Sequence, residues 1–181
     1  MKVISGKYKG RKLLGHNIDG TRPTMDRVKE SLFAMIQDKI VDSIVLDLFA
    51  GSGALAIEAL SMGSKFAYLN EKNIKAYNTI KNNMNSIGIE NYKLFKYDYK
   101  LALEKYYNEN IKFNIIFLDP PYESKYIENS INLITEYDLL EKDGIIVVES
   151  SSLDKIVYST DYIVVKQKKY QDKLVVILKK I

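Results

Sequence analysis

Apolar residues along most of the chain alternate between two spacings. From residue 43 onward, short continuous apolar runs are each followed by a longer segment in which apolar residues recur at helical spacing. The runs predict strands over residues 44–48, 66–70, 92–97, 113–118 and 145–149, and the longer segments predict helices over residues 54–62, 73–87, 99–107 and 124–140. Strands and helices in alternation are typical of a parallel sheet with helices on both faces.

Both ends of the chain depart from this alternation. Residues 3–5 and 12–14 are strand-like and flank a Gly-rich turn, which predicts a short basic hairpin. Residues 24–40 predict one amphipathic helix. Two last strands, over 162–168 and 174–179, follow each other closely and should pair as an antiparallel hairpin. The predicted fold is therefore a doubly wound, Rossmann-like α/β fold with a mostly parallel sheet of seven strands.

The length of 181 residues suits one domain and is short for two. Within that domain we expect a basic hairpin extension over residues 1–22 and a catalytic core over residues 23–181. No apolar stretch approaches the ~20 residues that span a bilayer, and no secretory signal is visible at the start. The absence of cysteine excludes disulfides and cysteine-ligated zinc. A cytoplasmic location is the expectation.

Charge is distributed unevenly along the chain. Residues 1–31 carry eight Lys and Arg against three Asp and Glu, and residues 166–180 carry six Lys against one Asp. Basic ends around a net acidic middle are expected where both ends face a polyanion such as nucleic acid. The alternative is that lysines at both ends only keep the protein soluble.

The segment Asp-Leu-Phe-Ala-Gly-Ser-Gly, residues 47–53, directly follows the apolar run of residues 43–46, at the end of the first predicted strand. Gly51 and Gly53 would let backbone N–H groups approach a ligand at the start of the next helix. The alternative is a tight turn without a ligand. Glu71, about 20 residues further on and at the end of the second strand, has the position to accept hydrogen bonds from a ribose diol, which indicates a nucleoside ligand.

Two more carboxylates refine this interpretation. Asp47 lies beside the glycines, and no lysine follows Gly53, so an amino-bearing ligand is favoured over a pyrophosphate. Asp98, directly after the third strand, is placed to accept from an exocyclic amine such as that of adenine. It could equally be the N-cap of the following helix, and both roles are compatible.

The fourth strand ends in Asp119-Pro120-Pro121-Tyr122. Two prolines end the strand and donate no hydrogen bonds, so this corner offers acceptors beside an aromatic ring. Fixed acceptors can hold both hydrogens of a planar amine while its ring stacks on Tyr122, which turns the nitrogen lone pair toward an electrophile. The implied electrophile is an activated methyl group.

With these residues the sequence resembles the class I S-adenosylmethionine-dependent methyltransferases. It is most similar to the RsmD family of 16S ribosomal RNA guanine-N2 methyltransferases, whose R-P-T-x-D-R-V-R-E-x-L-F motif matches residues 22–33, and the resemblance covers nearly the whole chain. It implies methylation of the 2-amino group of a specific guanine in 16S ribosomal RNA, within the small ribosomal subunit. Two departures are Lys29 and Gln171, where the family usually has arginine and glycine.

The resemblance also implies roles for individual residues. The catalytic residues would be Asp119, Pro120, Pro121 and Tyr122. The S-adenosylmethionine-binding residues would be Asp47, Phe49, Ala50, Gly51, Gly53, Glu71, Lys72, Asp98, Tyr99 and Asp119, with Arg22 and Thr24 closing over the site. The RNA-binding residues would be Lys7, Tyr8, Lys9, Arg11, Lys12, Arg22 and Arg27.

Other functions fit part of the sequence. The same corner would suit adenine N6, cytosine N4 or a protein glutamine, and guanine N2 rests on the resemblance alone. A nucleotide-dependent oxidoreductase would use the glycine turn but leaves the Pro-Pro corner unexplained. A non-enzymatic RNA-binding assembly factor would not need residues for the chemical reaction, yet this sequence has a suitable residue at each position that the reaction needs. His16 is expected to be exposed, no metal constellation is visible, and we expect a monomer.

Overall fold

A computed structural model describes residues 1–15, 23–121, 124–151, 156–170 and 172–181. The helices are α1 (Pro23–Ile36), α2 (Ala54–Ser61), α3 (Ile74–Ile87), α4 (Tyr99–Asn108) and α5 (Ser124–Glu136). The strands are β1 (Ile44–Asp47), β2 (Phe66–Asn70), β3 (Tyr92–Phe95), β4 (Phe113–Leu118), β5 (Leu140–Ser151), β6 (Tyr162–Lys169) and β7 (Lys173–Lys180). The predicted alternation of strands and helices is confirmed.

The described strands form one sheet in the order β3-β2-β1-β4-β5-β7-β6. The pairs from β3 to β5 are parallel, whereas β7 pairs antiparallel with both β5 and β6. The chain therefore moves outward from β1 to β3, then returns to β4 on the other side of β1. Ligands of doubly wound sheets bind beyond the carboxyl ends of the strands at such a switch point.

Each face of the sheet is covered by its own hydrophobic core. Alternate residues of the strands join α1, α2 and α3 on one face, here called the α1 face. The remaining strand residues pack against α4 and α5 on the other face. Burial on both faces explains why the strands are nearly continuous apolar runs.

Residues 1–15, here called the N-terminal segment, are part of the core on the α1 face, where Val3 and Leu13 are buried. The predicted hairpin is present but short: Lys2 and Lys12 form an antiparallel bridge, and three backbone hydrogen bonds join the two arms, from Val3 N to Arg11, from Gly10 N to Val3 and from Leu13 N to Met1. It does not extend further because Ile4 N and Ser5 N donate to the side chain of Glu58 on α2. None of the helices in the described ranges is long and apolar enough to cross a membrane.

Candidate active site

The glycine turn follows β1 at the switch point of the sheet. Gly51 and Gly53 have φ values of 55° and 78°, in the left-handed region that favours glycine. The turn is closed by hydrogen bonds from Ala50 N to the Asn70 carbonyl at 3.0 Å and from Gly53 N to the Ala50 carbonyl at 2.6 Å. A Cβ built on Gly51 would meet no atom within 4 Å, so the space beside this residue is open to a ligand.

Asp47 lies under the glycine turn and is 1% exposed. Its Oδ2 accepts a hydrogen bond from Ala56 N at 3.3 Å, but its Oδ1 has no partner among the described residues. Burial, followed by the charge of Glu71, raises the pKa of Asp47 to about 7, although the hydrogen bond from Ala56 acts against this. An unpaired buried carboxylate oxygen at this point fits a ligand that brings a donor, such as an ammonium group.

Glu71 connects the end of β2 to the glycine turn. Its Oε2 accepts from Gly51 N and its Oε1 accepts from Asn73 N, both at 2.8 Å. Each carboxylate oxygen can accept more than one hydrogen bond, so these contacts leave capacity for ribose hydroxyl groups. Glu71, the residue predicted to bind the ribose, therefore also holds the glycine turn in place.

Asp98 is the N-cap of α4, where its Oδ1 accepts from Lys100 N at 3.2 Å. Its Oδ2 lies 3.1 Å from Nζ of Lys72, so two predicted cofactor residues form an ion pair. The capping role left open by the sequence is thus present, and it leaves the second oxygen at the rim of the site.

Three aromatic rings lie together beside this rim. The ring of Tyr99 is 5.6 Å from that of Phe49 and 5.5 Å from that of Tyr126, and Phe49 and Tyr126 are 6.0 Å apart between centroids. Phe49 and Tyr99 were predicted to bind the cofactor, whereas Tyr126 of α5 was not among the predicted site residues. The ring cluster joins the turn after β1 to the helix that follows the Pro-Pro corner.

Asp119 and Pro120, directly after β4, are half-buried, and Pro121 is exposed. Although Asp119 keeps some accessible surface, protein surrounds it on most sides. This desolvation and the charge of Glu149 raise the pKa of Asp119 to about 8, and the ammonium of Lys173 acts in the opposite direction. Tyr122 lies outside the described residues.

The sequence missed Glu149 and Lys173, which form an ion pair beside Asp119. Glu149 comes directly after the apolar run of β5, just as Asp47 and Asp119 come directly after the apolar runs of β1 and β4. This shared position at a strand end could have identified Glu149 from the sequence. Lys173 had no local signal, because its neighbourhood is created by the pairing of β7 with β5.

The sequence also missed Asn83 of α3, a buried amide. Its Nδ2 donates to the carbonyls of Leu14 and Ser52, both at 3.0 Å, and its Oδ1 accepts from Leu14 N at 2.8 Å. This side chain therefore joins the N-terminal segment to the glycine turn.

The predicted RNA-binding residues of the N-terminal segment lie at the surface. Lys7, Lys9, Arg11 and Lys12 are exposed, and Tyr8 is half-buried. Lys7 Nζ lies 5.2 Å from the centroid of the Tyr8 ring, and the Arg11 guanidinium donates to the carbonyl of Ser86 at 2.7 Å. Arg27 of α1 is also exposed. Arg22, the side chain of Thr24, His16 and Gln171 lie outside the described residues.

The side chains described in residues 1–15, 23–121, 124–151, 156–170 and 172–181 include no group of three or more His, Cys, Asp or Glu able to hold a metal ion. A cavity of about 230 Å³ lies at the amino ends of the strands, lined by residues that include Lys39, Asp42, Asn114 and Asp143. None of the candidate site residues lines this cavity, because the candidate site lies at the carboxyl ends of the parallel strands.

Comparison with known proteins places this geometry in a family. The family described as Conserved hypothetical protein 95 matches residues 1–179. Ribosomal RNA small subunit methyltransferase D of Buchnera aphidicola subsp. Acyrthosiphon pisum is 34% identical over 166 residues, which are 92% of this chain and 86% of that protein. The chain belongs to the ribosomal RNA small subunit methyltransferase D family. The family predicted from the glycine turn, the Pro-Pro corner and residues 22–33 is therefore confirmed.

Two further proteins are similar to this chain over most of its length. The Bacillus subtilis (strain 168) protein YlbH is 42% identical over 150 residues, 82% of each chain. The solved structure of yhhF from Escherichia coli superimposes with a TM-score of 0.87 at 30% identity, covering 99% of this chain and 97% of that one. The Rossmann-like fold and the methyltransferase class predicted for this chain agree with its membership of the methyltransferase D family.

Proposed function

We propose that this protein is an S-adenosylmethionine-dependent methyltransferase that methylates the N2 amine of a specific guanine in 16S ribosomal RNA. The observation that carries the proposal is the position of Asp119, Pro120 and Pro121 at the carboxyl end of β4, next to the glycine turn after β1. The names of the curated relatives support ribosomal RNA of the small subunit as the substrate.

The residues of the glycine turn fit the proposed cofactor. Oδ1 of Asp47 would accept from its ammonium group, Glu71 would hold the ribose hydroxyls, and Asp98 would accept from the adenine amine, with Phe49 and Tyr99 beside the ring. Gly51, Gly53 and Ala50 would contribute backbone groups, and Lys72 would keep Asp98 in place. S-adenosylmethionine, when bound, supplies an electrophilic methyl group on a positively charged sulfur.

The Pro-Pro corner, residues 119–122, would bind and orient the target amine. The carboxyl group of Asp119 and the carbonyl of Pro120 accept the two hydrogens of the target amine, which turns the nitrogen lone pair toward the methyl group. Because these acceptors are fixed by β4 and the two prolines, they stabilise the positive charge that develops on nitrogen. Tyr122 would stack on the guanine.

The partner and its surroundings are part of the same proposal. The exposed cations of the N-terminal segment, with Arg27, would contact RNA phosphates, and Arg22 and Thr24 would close over the cofactor. We infer that the substrate is RNA within the small ribosomal subunit, that the reaction takes place in the cytoplasm, and that the enzyme acts as a monomer without a metal. The whole chain would act as one domain, with the segment 1–22 as its basic extension.

Methyl transfer from radiolabelled S-adenosylmethionine tests the proposal. The substrates are small ribosomal subunits lacking the modification and naked 16S RNA, with Asp119→Ala as the inactive variant and Lys105→Ala, a surface change on α4, as the matched control. We expect label in N2-methylguanosine of the subunit, lost in Asp119→Ala only. Label in another nucleoside would retain the mechanism and reject guanine N2, and label on protein alone would reject the RNA substrate.

A further inference from the structure

Four charged side chains form a row across four adjacent strands of the sheet. Asp47 ends β1, Asp119 follows β4, Glu149 lies near the end of β5, and Lys173 begins β7. The strands lie side by side in this order. Each of the four residues is two positions from a core residue of the α1 face, so side-chain alternation directs all four to that face. These core residues are Val45, Phe117, Val147 and Val175.

Strand register brings the last three members of the row together. Leu118 of β4 is registered with Val148 of β5, so the next residues, Asp119 and Glu149, follow side by side. Lys173 lies opposite Ser151 in the antiparallel pairing of β5 with β7. From there its Nζ forms an ion pair with Oε1 of Glu149. Asp119 is therefore next to a carboxylate that is itself held by an ammonium group.

The balance of charges around Asp119 is set by these neighbours. Glu149 on β5 and Asp47 on β1 raise the pKa of Asp119, in addition to desolvation, and Lys173 on β7 lowers it. Burial lowers the pKa of the Lys173 ammonium, but Asp119 and Glu149 more than offset this and leave it above its ordinary value. Lys173 is therefore a cation near the amine-binding corner, and Glu149 is its ion-pair partner.

We propose that Glu149 and Lys173 are positioning residues that make Asp119 the proton acceptor of the methylated amine, an inference that rests on the proposed function. As the nitrogen lone pair forms the new C–N bond, the S–C bond breaks and its electron pair stays on sulfur. The nitrogen then carries a positive charge and loses one proton to the Asp119 carboxylate, which passes it to solvent. A proton acceptor works best when its pKa is near the operating pH, and two neighbours of opposite sign can hold it there.

Three variants separate this role from a structural one. Lys173→Met removes the cation beside Asp119, and Glu149→Gln removes the anion. Lys179→Met is the matched control, because Lys179 lies near the other end of β7 and pairs with Asp143 at 2.8 Å. Lys173→Arg keeps the charge and shows whether loss of charge, rather than of packing, causes the effect of Lys173→Met.

The first measurement needs no substrate. In protein labelled with ¹³C at the aspartate carboxyl carbons, the Asp119 resonance is identified by its absence in Asp119→Asn and is followed with pH by NMR. The titration midpoint is expected to rise by about 1 pH unit or more in Lys173→Met, because an adjacent opposite charge shifts a carboxyl pKa by about that much. It should fall in Glu149→Gln and stay unchanged in Lys179→Met and Lys173→Arg.

The second measurement is the pH dependence of methyl transfer. The rising acid limb of the rate should follow the NMR midpoint in each variant, so that near neutral pH Lys173→Met is slower by about tenfold for each pH unit of its shift and recovers at alkaline pH. NMR midpoints equal to that of the wild type would overturn the proposal. Midpoints that move while the acid limbs do not would overturn the proton-acceptor role. A wild type that methylates no RNA would instead reject the proposed function, whatever the NMR shows.

Discussion

Replacing Lys29 with methionine is expected to destabilise the protein strongly. Lys29 Nζ lies 2.9 Å from Oε2 of Glu58, and the two side chains are 5% and 1% exposed. Lys29 also donates to the carbonyl of Lys2 at 2.7 Å. Glu58 in addition accepts from the backbone N–H groups of Ile4 at 3.0 Å and Ser5 at 2.7 Å. In Lys29→Met the buried carboxylate keeps these backbone donors but loses its counter-charge.

The magnitude follows from the burial of the pair. Removing one partner of a buried ion pair costs about 3–5 kcal/mol of the free energy of unfolding. For a protein of this length each kcal/mol lowers Tm by about 2–4 °C, so a fall of about 6–20 °C is expected. Lys29→Arg keeps the positive charge, and its effect should be much smaller.

Thermal unfolding followed by circular dichroism measures this loss. Lys105→Met is the matched control, because Lys105 pairs with Glu109 at the surface four residues away on α4. Such a pair contributes only about 0.3–0.5 kcal/mol, so Tm of the control should change by no more than about 2 °C. If Lys29→Met melted within the same margin as the control, the buried pair would not hold the N-terminal segment on α2.

Other expectations concern single positions. Gly6→Ala should cost about 2 kcal/mol or more in urea unfolding, because a Cβ there would lie 1.9 Å from the Ser61 carbonyl oxygen at a φ of 77°; full stability would contradict that contact. Asn83→Ala should weaken S-adenosylmethionine binding about tenfold by calorimetry, since the glycine turn loses the hydrogen bond to Ser52, and unchanged affinity would show that the turn holds itself. The pKa of Asp47 is raised from 3.8 to about 7, so between these pH values the folded state keeps a proton that the unfolded state has released. The free energy of unfolding should therefore fall by up to about 4 kcal/mol as pH rises from about 4 to about 7. Asp47→Asn should melt higher than the wild type near neutral pH while binding the cofactor less tightly, and an equal or lower Tm would argue against the burial cost.

The fold was predictable where structure depends on local pattern. Strands β2 and β4 have the predicted bounds because apolar runs and polar breaks mark both ends. The boundary between α5 and β5 was wrong: the helix was predicted to residue 140, but it ends at Glu136 and β5 begins at Leu140. Asp138 takes a left-handed conformation with a φ of 49°, which ends the helical path, and the apolar residues after it had extended the helical pattern.

The candidate site divides in the same way. The positions of Asp47, Glu71 and Asp119 could be predicted because each lies at or directly after the end of a strand, and parallel strands bring such residues to one edge of the sheet. The contacts of Asn83 and Lys173 arise only when distant segments of the chain pack together, so no local sequence pattern predicts them. Sequence reasoning found the residues at the strand ends and missed the side chains that hold those ends in place.

The docking of the N-terminal segment also sets an order in time. Its partners Glu58, Ser61 and Asn83 are 53–69 residues further along the chain than the backbone groups they hold. During synthesis the first residues therefore leave the ribosome long before α2 and α3 exist, and their cations are not yet arranged as a surface. The surface that is proposed to contact RNA is therefore assembled only when α2 and α3 of the catalytic core have folded, and an unfolded nascent chain does not yet present it.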